Sequence, residues 1–120
     1  MVKSINTAVE LTVNATWYRG MPSYGQVMVG DRAFEFYNER NVGDYVQIPW
    51  NEITYVVADV HFGGRYIPRF EIRTKNSGNF IFNTRDPKKT LRAIREHVPA
   101  DRLRKSLTVM QKLRRNFSKH

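Results

Sequence analysis

The three histidines are the residues of this chain best suited to acid–base or metal chemistry, because the chain contains no cysteine. His61, His97 and His120 lie far apart in the sequence, and none has Cys, Asp or Glu at a metal-ligand spacing. Asp59 and His61 are two residues apart, so on a strand both point to one face, as a base and its orienting carboxylate would. A local polar pair is the simpler interpretation of these two residues. We therefore predict no metal and no catalytic residue.

Other kinds of catalytic or phosphate-binding motif are missing from the sequence as well. The serines have no nucleophile-elbow context. The glycine pair Gly63-Gly64 belongs to neither a GxxxxGK[ST] loop nor a GxGxxG loop, which are the patterns that cradle phosphates. We predict a protein that is not an enzyme and that holds no cofactor.

Positive charge is concentrated in the second half of the chain. Residues 1–60 carry 4 Lys/Arg and 7 Asp/Glu, whereas residues 61–120 carry 16 Lys/Arg and 4 Asp/Glu, and the net charge is +9. Such a gradient favours a negatively charged partner, which is a nucleic acid, an anionic membrane surface or an acidic protein face.

Length and hydropathy are typical of one globular domain in a reducing compartment. The 120 residues suffice for one core but not for two ordinary domains. No signal peptide is visible, and no run approaches the roughly 20 apolar residues that span a bilayer. The lack of cysteine fits the cytoplasm. We expect a cytoplasmic protein, with peripheral attachment at the inner face of the cell membrane as an option.

Alternation of apolar and polar residues predicts a mainly β protein. The clearest case is residues 8–18, where every second residue is apolar. Short turns such as Gly30-Asp31 separate the apolar runs, so we expect an antiparallel sheet. The seven predicted strands are residues 8–18, 24–29, 33–37, 45–48, 53–62, 70–75 and 80–82. A closed or half-closed sheet would leave few strand edges unpaired.

Helical periodicity replaces the alternation after residue 85. Asp86 is placed as an N-cap and Pro87 as the first helical residue, and Pro99 ends the helix. Its apolar face, formed by Leu91, Ile94 and Val98, is expected to cap the open end of the sheet. Residues 101–117 predict a second, basic amphipathic helix. We assign residues 1–99 to a β-barrel with its capping helix and residues 100–120 to the basic helix, both within one domain.

The span IPWNEITYV resembles the bacterial pleckstrin-homology domains and the related GRAM domains. In both, a strand ends in a proline-aromatic pair and the next strand begins shortly afterwards. The resemblance implies a seven-stranded antiparallel pleckstrin-homology/GRAM-like barrel, or an orthogonal sandwich, capped by a helix.

The stretches GDRAFEFYNER, QIPWNEI, IPRFEIRTK and DPKKTLRAIRE resemble a small family of unknown molecular function. Its members are encoded beside mannose-family sugar phosphotransferase operons in low-GC Gram-positive bacteria, and some are described as ManO-type regulators or activators. The match runs from about Ile5 to Phe117. It implies a cytoplasmic accessory or regulatory protein of mannose-type sugar uptake. It implies no reaction and no catalytic residues. A phosphoryl-carrier role for His97 is not needed, because a cation in the last turn of a helix is favoured by the helix dipole.

Two segments are candidates for partner binding. The loop of residues 63–69 offers guanidinium groups and an aromatic ring, residue types enriched at interaction hot spots. Alternatively, this loop folds back to close the barrel with its arginines solvated. The predicted helix of residues 101–117 docks on the barrel, lies on an anionic membrane, or grips a protein groove or nucleic acid. The candidate residues are Arg65, Tyr66, Arg69, Arg73, Lys88, Arg92, Arg104, Leu107, Met110, Arg114 and Phe117.

The favoured hypothesis is a non-catalytic binding module that docks through its basic face on components of a mannose-family phosphotransferase system. An anionic membrane surface without a transporter partner is one alternative. A transcriptional regulator that contacts DNA directly is another, less favoured because no helix-turn-helix, RNP motif or zinc module is present. A small ligand in the barrel mouth is a third. The oligomeric state is not predicted.

Overall fold

The structure is a computed structural model that describes residues 2–106. This part of the chain is mainly β, with one α-helix, as the alternation predicted. The strands are β1 (Val9–Arg19), β2 (Met21–Gly30), β3 (Ala33–Asn38), β4 (Tyr45–Pro49), β5 (Ile53–His61), β6 (Tyr66–Thr74), β7 (Asn79–Thr84) and β8 (Leu103–Ser106). The helix is α1 (Pro87–Arg95), and short 3-10 turns span Trp50–Glu52, Phe62–Gly64 and Ala100–Arg102.

The strands form one sheet in the order β4-β3-β2-β1-β7-β6-β5-β8. Neighbouring strands are antiparallel except β5 and β8, which are parallel. The expected seven-stranded antiparallel sheet is therefore an eight-stranded mixed sheet. A closed barrel is wrong for residues 2–106, because β4 and β8 are the two ends of the sheet and do not pair with each other.

Strand β1 joins the two halves of the sheet. It pairs with β2 along its whole length and with β7 from Ala15 onward. Gly25 lies where β2 runs between β1 and β3, and a Cβ there would stand 2.0 Å from the carbonyl oxygen of Tyr37. Only glycine lets the strands approach this closely.

The core is a cluster of aromatic rings contributed by both halves of the sheet. Phe34, Phe36, Phe70 and Phe82 are almost completely buried. The rings of Phe34 and Phe82, which lie on β3 and β7, have centroids 5.0 Å apart in a tilted arrangement. Burial of such rings is the main favourable term in folding, and it holds the two halves of the sheet together.

Helix α1 begins as its sequence predicted. The Asp86 side chain accepts a hydrogen bond from the Lys89 backbone N–H at 3.2 Å, and Pro87 occupies the first turn. Ile94 and Val98 are buried against the core. The helix ends at Arg95, before the predicted Pro99 boundary.

His97 therefore lies beyond the helix and not in its last turn. Its ring stacks on Trp50 with centroids 4.6 Å apart, and its Nε2 lies 2.7 Å from a Glu10 carboxylate oxygen. These contacts tie the end of α1 to β1 and to the turn before β5, which is a structural role.

The prediction of a second helix is wrong for residues 101–106. Asp101 lies in a 3-10 turn and residues 103–106 form β8 beside β5. Leu103 packs against the core from this strand. Backbone pairing with the edge of β5 decides the conformation here, over the helical spacing of the apolar residues. The rest of the predicted helix, with Leu107, Met110, Arg114 and Phe117, lies outside the described residues.

Residues 2–8 form an N-terminal strap that two carboxylates hold against the sheet. Glu35 on β3 is fully buried and accepts hydrogen bonds from the Ser4 hydroxyl (2.5 Å), the Ile5 N–H (2.9 Å) and the Asn6 side-chain amide (2.8 Å). Asp31 accepts hydrogen bonds from the Thr7 hydroxyl and from the N–H groups of Thr7 and Ala8, the two residues that follow Asn6 in the strap.

Candidate partner-binding site

The predicted loop of residues 63–69 is shorter in the structure. A 3-10 turn covers Phe62–Gly64, and β6 already begins at Tyr66. Tyr66 and Arg69 are therefore strand residues, and only Arg65 of the predicted basic residues lies between the two elements. The prediction that this segment is an open loop as far as Arg69 is wrong.

The turn from β5 to β6 exposes two aromatic rings. Phe62 is 78% exposed and Tyr66 is 55% exposed. Phe62 has a φ of 53°, and the two glycines that follow also have positive φ values, 66° at Gly63 and 95° at Gly64. We call residues 61–66 the aromatic tip.

Asp59 is the carboxylate nearest to the aromatic tip along β5, and the guanidinium of Arg69 neutralises its charge. Its Oδ1 lies 3.2 Å from His61 Nε2, and its Oδ2 lies 3.2 Å from Arg69 Nη2. The Ser106 hydroxyl donates to Asp59 at 3.4 Å, so among residues 2–106 it is not bonded to His61. The geometry is that of a local polar cluster, with no serine–histidine pair that would make a nucleophile.

An apolar pocket of about 210 Å³ opens between β5, β6, α1 and β8. Six aliphatic side chains line it, and Gly64, Arg104 and Lys105 complete its rim. The aliphatic residues are Val56, Ala58, Val60, Ile67, Leu91 and Leu103. We call it the basic-rimmed pocket.

Helix α1 adds more cations beside this pocket. Lys88, Arg92 and Arg95 are exposed and spaced four and three residues apart, so they form one stripe along the helix. Leu91, which lines the pocket, is a neighbour of Lys88 and Arg95 on the helix surface. None of the ion pairs within the described part of the chain involves this stripe, Arg65 or Lys105. The cations around the pocket are therefore not neutralised by carboxylates of residues 2–106.

Two further predicted binding residues differ in their position, because Arg104 lines the pocket and Arg73 does not. Arg73 Nε donates to Glu71 Oε1 at 2.7 Å, and this pair cancels its charge locally. The guanidinium of Arg104 lies over the ring of Tyr55, 5.3 Å from the ring centre. Its Nε donates to the Asp101 carbonyl oxygen at 3.2 Å. Of the predicted residues, the structure thus places Arg104 in the pocket lining and Arg73 outside it. Lys88 and Arg92 lie on the helix that supplies Leu91, and Arg65 directly follows the lining residue Gly64.

Comparison with known proteins identifies the family of the chain. Residues 1–117 match the family described as a domain of unknown function, DUF956. The chain belongs to the DUF956 family. No curated protein matches this DUF956 chain.

One solved structure similar to the DUF956 fold is the C-terminal domain of an unknown protein from Leishmania infantum. The two share 11% sequence identity with a TM-score of 0.65, over 75% of this chain and 83% of the other. At this identity the likeness shows the fold alone.

Sequence reasoning missed several residues of this DUF956 site. Phe62, Lys105 and the aliphatic lining of the pocket were not among the predicted binding residues. A bulky aromatic directly before two glycines was the available signal for the tip. The pocket had no local signal, because its walls come from four elements that are distant in sequence.

Two kinds of feature are not found among residues 2–106. No group of three or more His, Asp or Glu side chains is placed to hold a metal ion in this part of the chain. No helix within it has the length and apolar run needed to cross a membrane.

Proposed function

We propose that this DUF956 protein is a non-catalytic binding module that docks an acidic protein partner in the basic-rimmed pocket. The observation that carries the proposal is an apolar pocket bordered by cations that have no carboxylate partner in the described residues. Such a pocket favours a ligand with both an apolar group and negative charge.

The size of the pocket fits one large side chain of a partner. A cavity of about 150 Å³ lined by aliphatic residues holds one benzene molecule. The pocket here, at about 210 Å³, has room for a phenylalanine or leucine side chain. Interfaces draw most of their binding energy from a few such anchors in desolvated pockets.

The surrounding cations favour acidic residues beside that anchor. Lys105 lies on the rim, and Lys88 and Arg95 flank Leu91 on the helix. Exposed charges of this kind act mainly by raising the association rate and by rejecting basic partners. Their effect falls as the salt concentration rises.

The resemblance to proteins encoded beside mannose-family phosphotransferase operons suggests which system holds the partner. We propose that the chain is a cytoplasmic accessory or regulatory protein and that its partner is a component of this transport system. The pleckstrin-homology/GRAM-like layout belongs to the same proposal. It is supported by β1, which joins the two halves of the sheet, and by a helix that directly follows β7.

The test is binding of the purified cytoplasmic components of the mannose-family phosphotransferase system, measured by titration calorimetry over a salt series. The double variant R92E/K105E reverses Lys105, which lines the pocket, and Arg92, which follows the lining residue Leu91 on α1, and we expect it to weaken binding by at least tenfold at low salt. The matched control is R32E/R40E, which reverses two exposed cations of the other half of the chain and should bind as the wild type does.

Two outcomes would overturn the proposal. One is equal binding by both double variants. The other is no binding to any component, together with a gel shift on the operon promoter that survives competitor DNA. The second result would establish the rival function, a regulator that contacts DNA directly.

A further inference from the structure

We propose that the aromatic tip inserts Phe62 into the surface of an anionic lipid bilayer. This goes beyond docking of a protein partner, because it assigns a second binding surface at the end of β5. The observation that carries it is an exposed phenylalanine held in an unfavourable backbone conformation.

The backbone at Phe62 is in an unfavourable conformation that burial of its own side chain does not offset. Phe62 is the one residue other than glycine with a positive φ among residues 2–106. Large side chains are strongly disfavoured in this left-handed region, whereas Gly63 and Gly64 adopt it without a steric penalty. The side chain is 78% exposed, so it gains little from burial. Strain of this kind is typical of functional sites.

The residues around Phe62 are those found where proteins meet a membrane surface. Tyr66 exposes its ring on the next strand, and Arg65 lies between the two aromatics with no ion pair in the described residues. Aromatic rings with a polar end and long basic side chains sit at the boundary between headgroups and acyl chains.

The local charge favours an anionic bilayer over a neutral one. Asp59, the carboxylate that precedes the tip, is neutralised by Arg69. Lys105 lies on the neighbouring strand β8, paired with Ala58. A basic group close to an anionic surface contributes an attraction that a neutral surface lacks.

The shape of the tip favours a lipid surface over a protein pocket. Phe62 lies in the tight turn of a hairpin and Tyr66 begins the strand that follows, and each is more than half exposed. A fluid interface accepts both rings without a matching cavity, whereas a protein partner would need a separate recess for each.

The experiment is co-sedimentation of the full chain with vesicles of phosphatidylcholine that contain phosphatidylglycerol, and with vesicles of phosphatidylcholine alone. We expect the wild type to bind only the anionic vesicles. F62A should lower the partition coefficient about tenfold, since it removes most of a large apolar side chain. Y24A is the matched control, because Tyr24 is 59% exposed on β2, and it should bind as the wild type does.

A second variant separates binding from folding. Asparagine tolerates a positive φ, so F62N should relieve the backbone while removing the anchor. We expect F62N to lose vesicle binding and to melt at the wild-type temperature or about 2–4 °C above it. A lower melting temperature would show that Phe62 packs in the fold, and would overturn the proposal.

Three other results would also overturn it. These are a wild type that ignores anionic vesicles, an F62A variant that binds them as tightly as the wild type, and an F62A variant whose defect is confined to binding of the protein partner. Failure of the proposed function is distinguished from these results. It would be seen as unchanged binding of the protein partner by R92E/K105E, whatever the result with vesicles.

Discussion

Among single residues, Glu35 determines how the first residues of the chain are held. Its carboxylate is fully buried, yet no cation pairs with it in the described residues. Besides its bonds to the strap, it accepts from the Tyr37 hydroxyl at 2.7 Å and from the Gln47 amide at 3.3 Å. A buried carboxylate is tolerated when neutral donors satisfy its oxygens in this way.

Glu35→Gln tests this arrangement with almost no change of shape. One oxygen becomes an NH2 group, which cannot accept from the donors that now face it, so those donors lose their partner. We expect the free energy of unfolding to fall by about 2 kcal/mol or more, measured by urea denaturation. Glu39→Gln is the control, because Glu39 is exposed and has no side-chain hydrogen bond among the described residues. Equal stability of the two variants would contradict the structure.

Asp31 makes the strap sensitive to acid. Hydrogen bonds, first from the Thr7 hydroxyl and then from the Ala8 N–H, lower the pKa of Asp31 to about 2. A lowered pKa means that the stabilisation is complete above the unfolded-state pKa of about 4 and is lost as the pH falls through about 2. We expect Asp31→Asn to remove this part of the acid dependence between pH 4 and pH 2. Chemical shifts of Asp31 across this range, together with melting curves of both proteins, provide the measurement. A pKa near 4 would contradict the hydrogen bonds.

Among the elements, α1 is the one whose start is best predicted from the sequence. The Asp86 cap is a local interaction, and it is retained in the fold. We expect Asp86→Ala to lower the free energy of unfolding by about 1 kcal/mol. Asp86→Asn should retain most of the stability that the cap contributes, because asparagine also caps helices. Thermal melting followed by circular dichroism measures both. Asp101→Ala is the control, since the Asp101 side chain caps no helix. An Asp86→Ala variant as stable as that control would exclude a capping role.

Local patterns predicted elements well where the cause of the structure is itself local. Alternation in β1 and the Gly30-Asp31 turn depend on neighbouring residues, and both were predictable. Residues 103–106 were not, since their conformation depends on the edge of β5, about 45 residues earlier in the chain. The leucine spacing suits a helix equally well, and only the tertiary pairing distinguishes the two.

The candidate site was predictable in charge but not in shape. The basic character of α1 follows directly from its sequence, and Lys88 and Arg92 do lie beside the pocket. The two ion pairs that neutralise Arg69 and Arg73 were not predicted from the sequence. The pair of Arg69 with Asp59 joins two strands, and the pair of Arg73 with Glu71 depends on both side chains lying on one face of β6. The pocket itself arises where four elements meet, so no single segment encodes it.

For the whole molecule, β8 is the last element of the described chain, and it contacts the core. The buried hydrophobic residues of the described chain run from Ala15 to Val98, and Leu103 packs against them. Two truncated chains, residues 1–106 and residues 1–99, test the contribution of β8 beside the full chain. A chain of residues 1–99 should lose about 2 kcal/mol of stability, because it lacks Leu103 and the pairing of β8 with β5. Urea denaturation of the three chains compares them. If residues 1–106 are no more stable than residues 1–99, the pairing of β8 with β5 does not contribute the expected stability.

The sheet order also has a consequence for synthesis on the ribosome. Strands β1 to β4 are consecutive in sequence and adjacent in space, so this meander can assemble as soon as it has emerged. Strand β1, however, receives its second neighbour only when β7 has been made, some 65 residues later. Until then the nascent chain presents an open strand edge, and this interval is when the protein most needs protection from pairing with other chains.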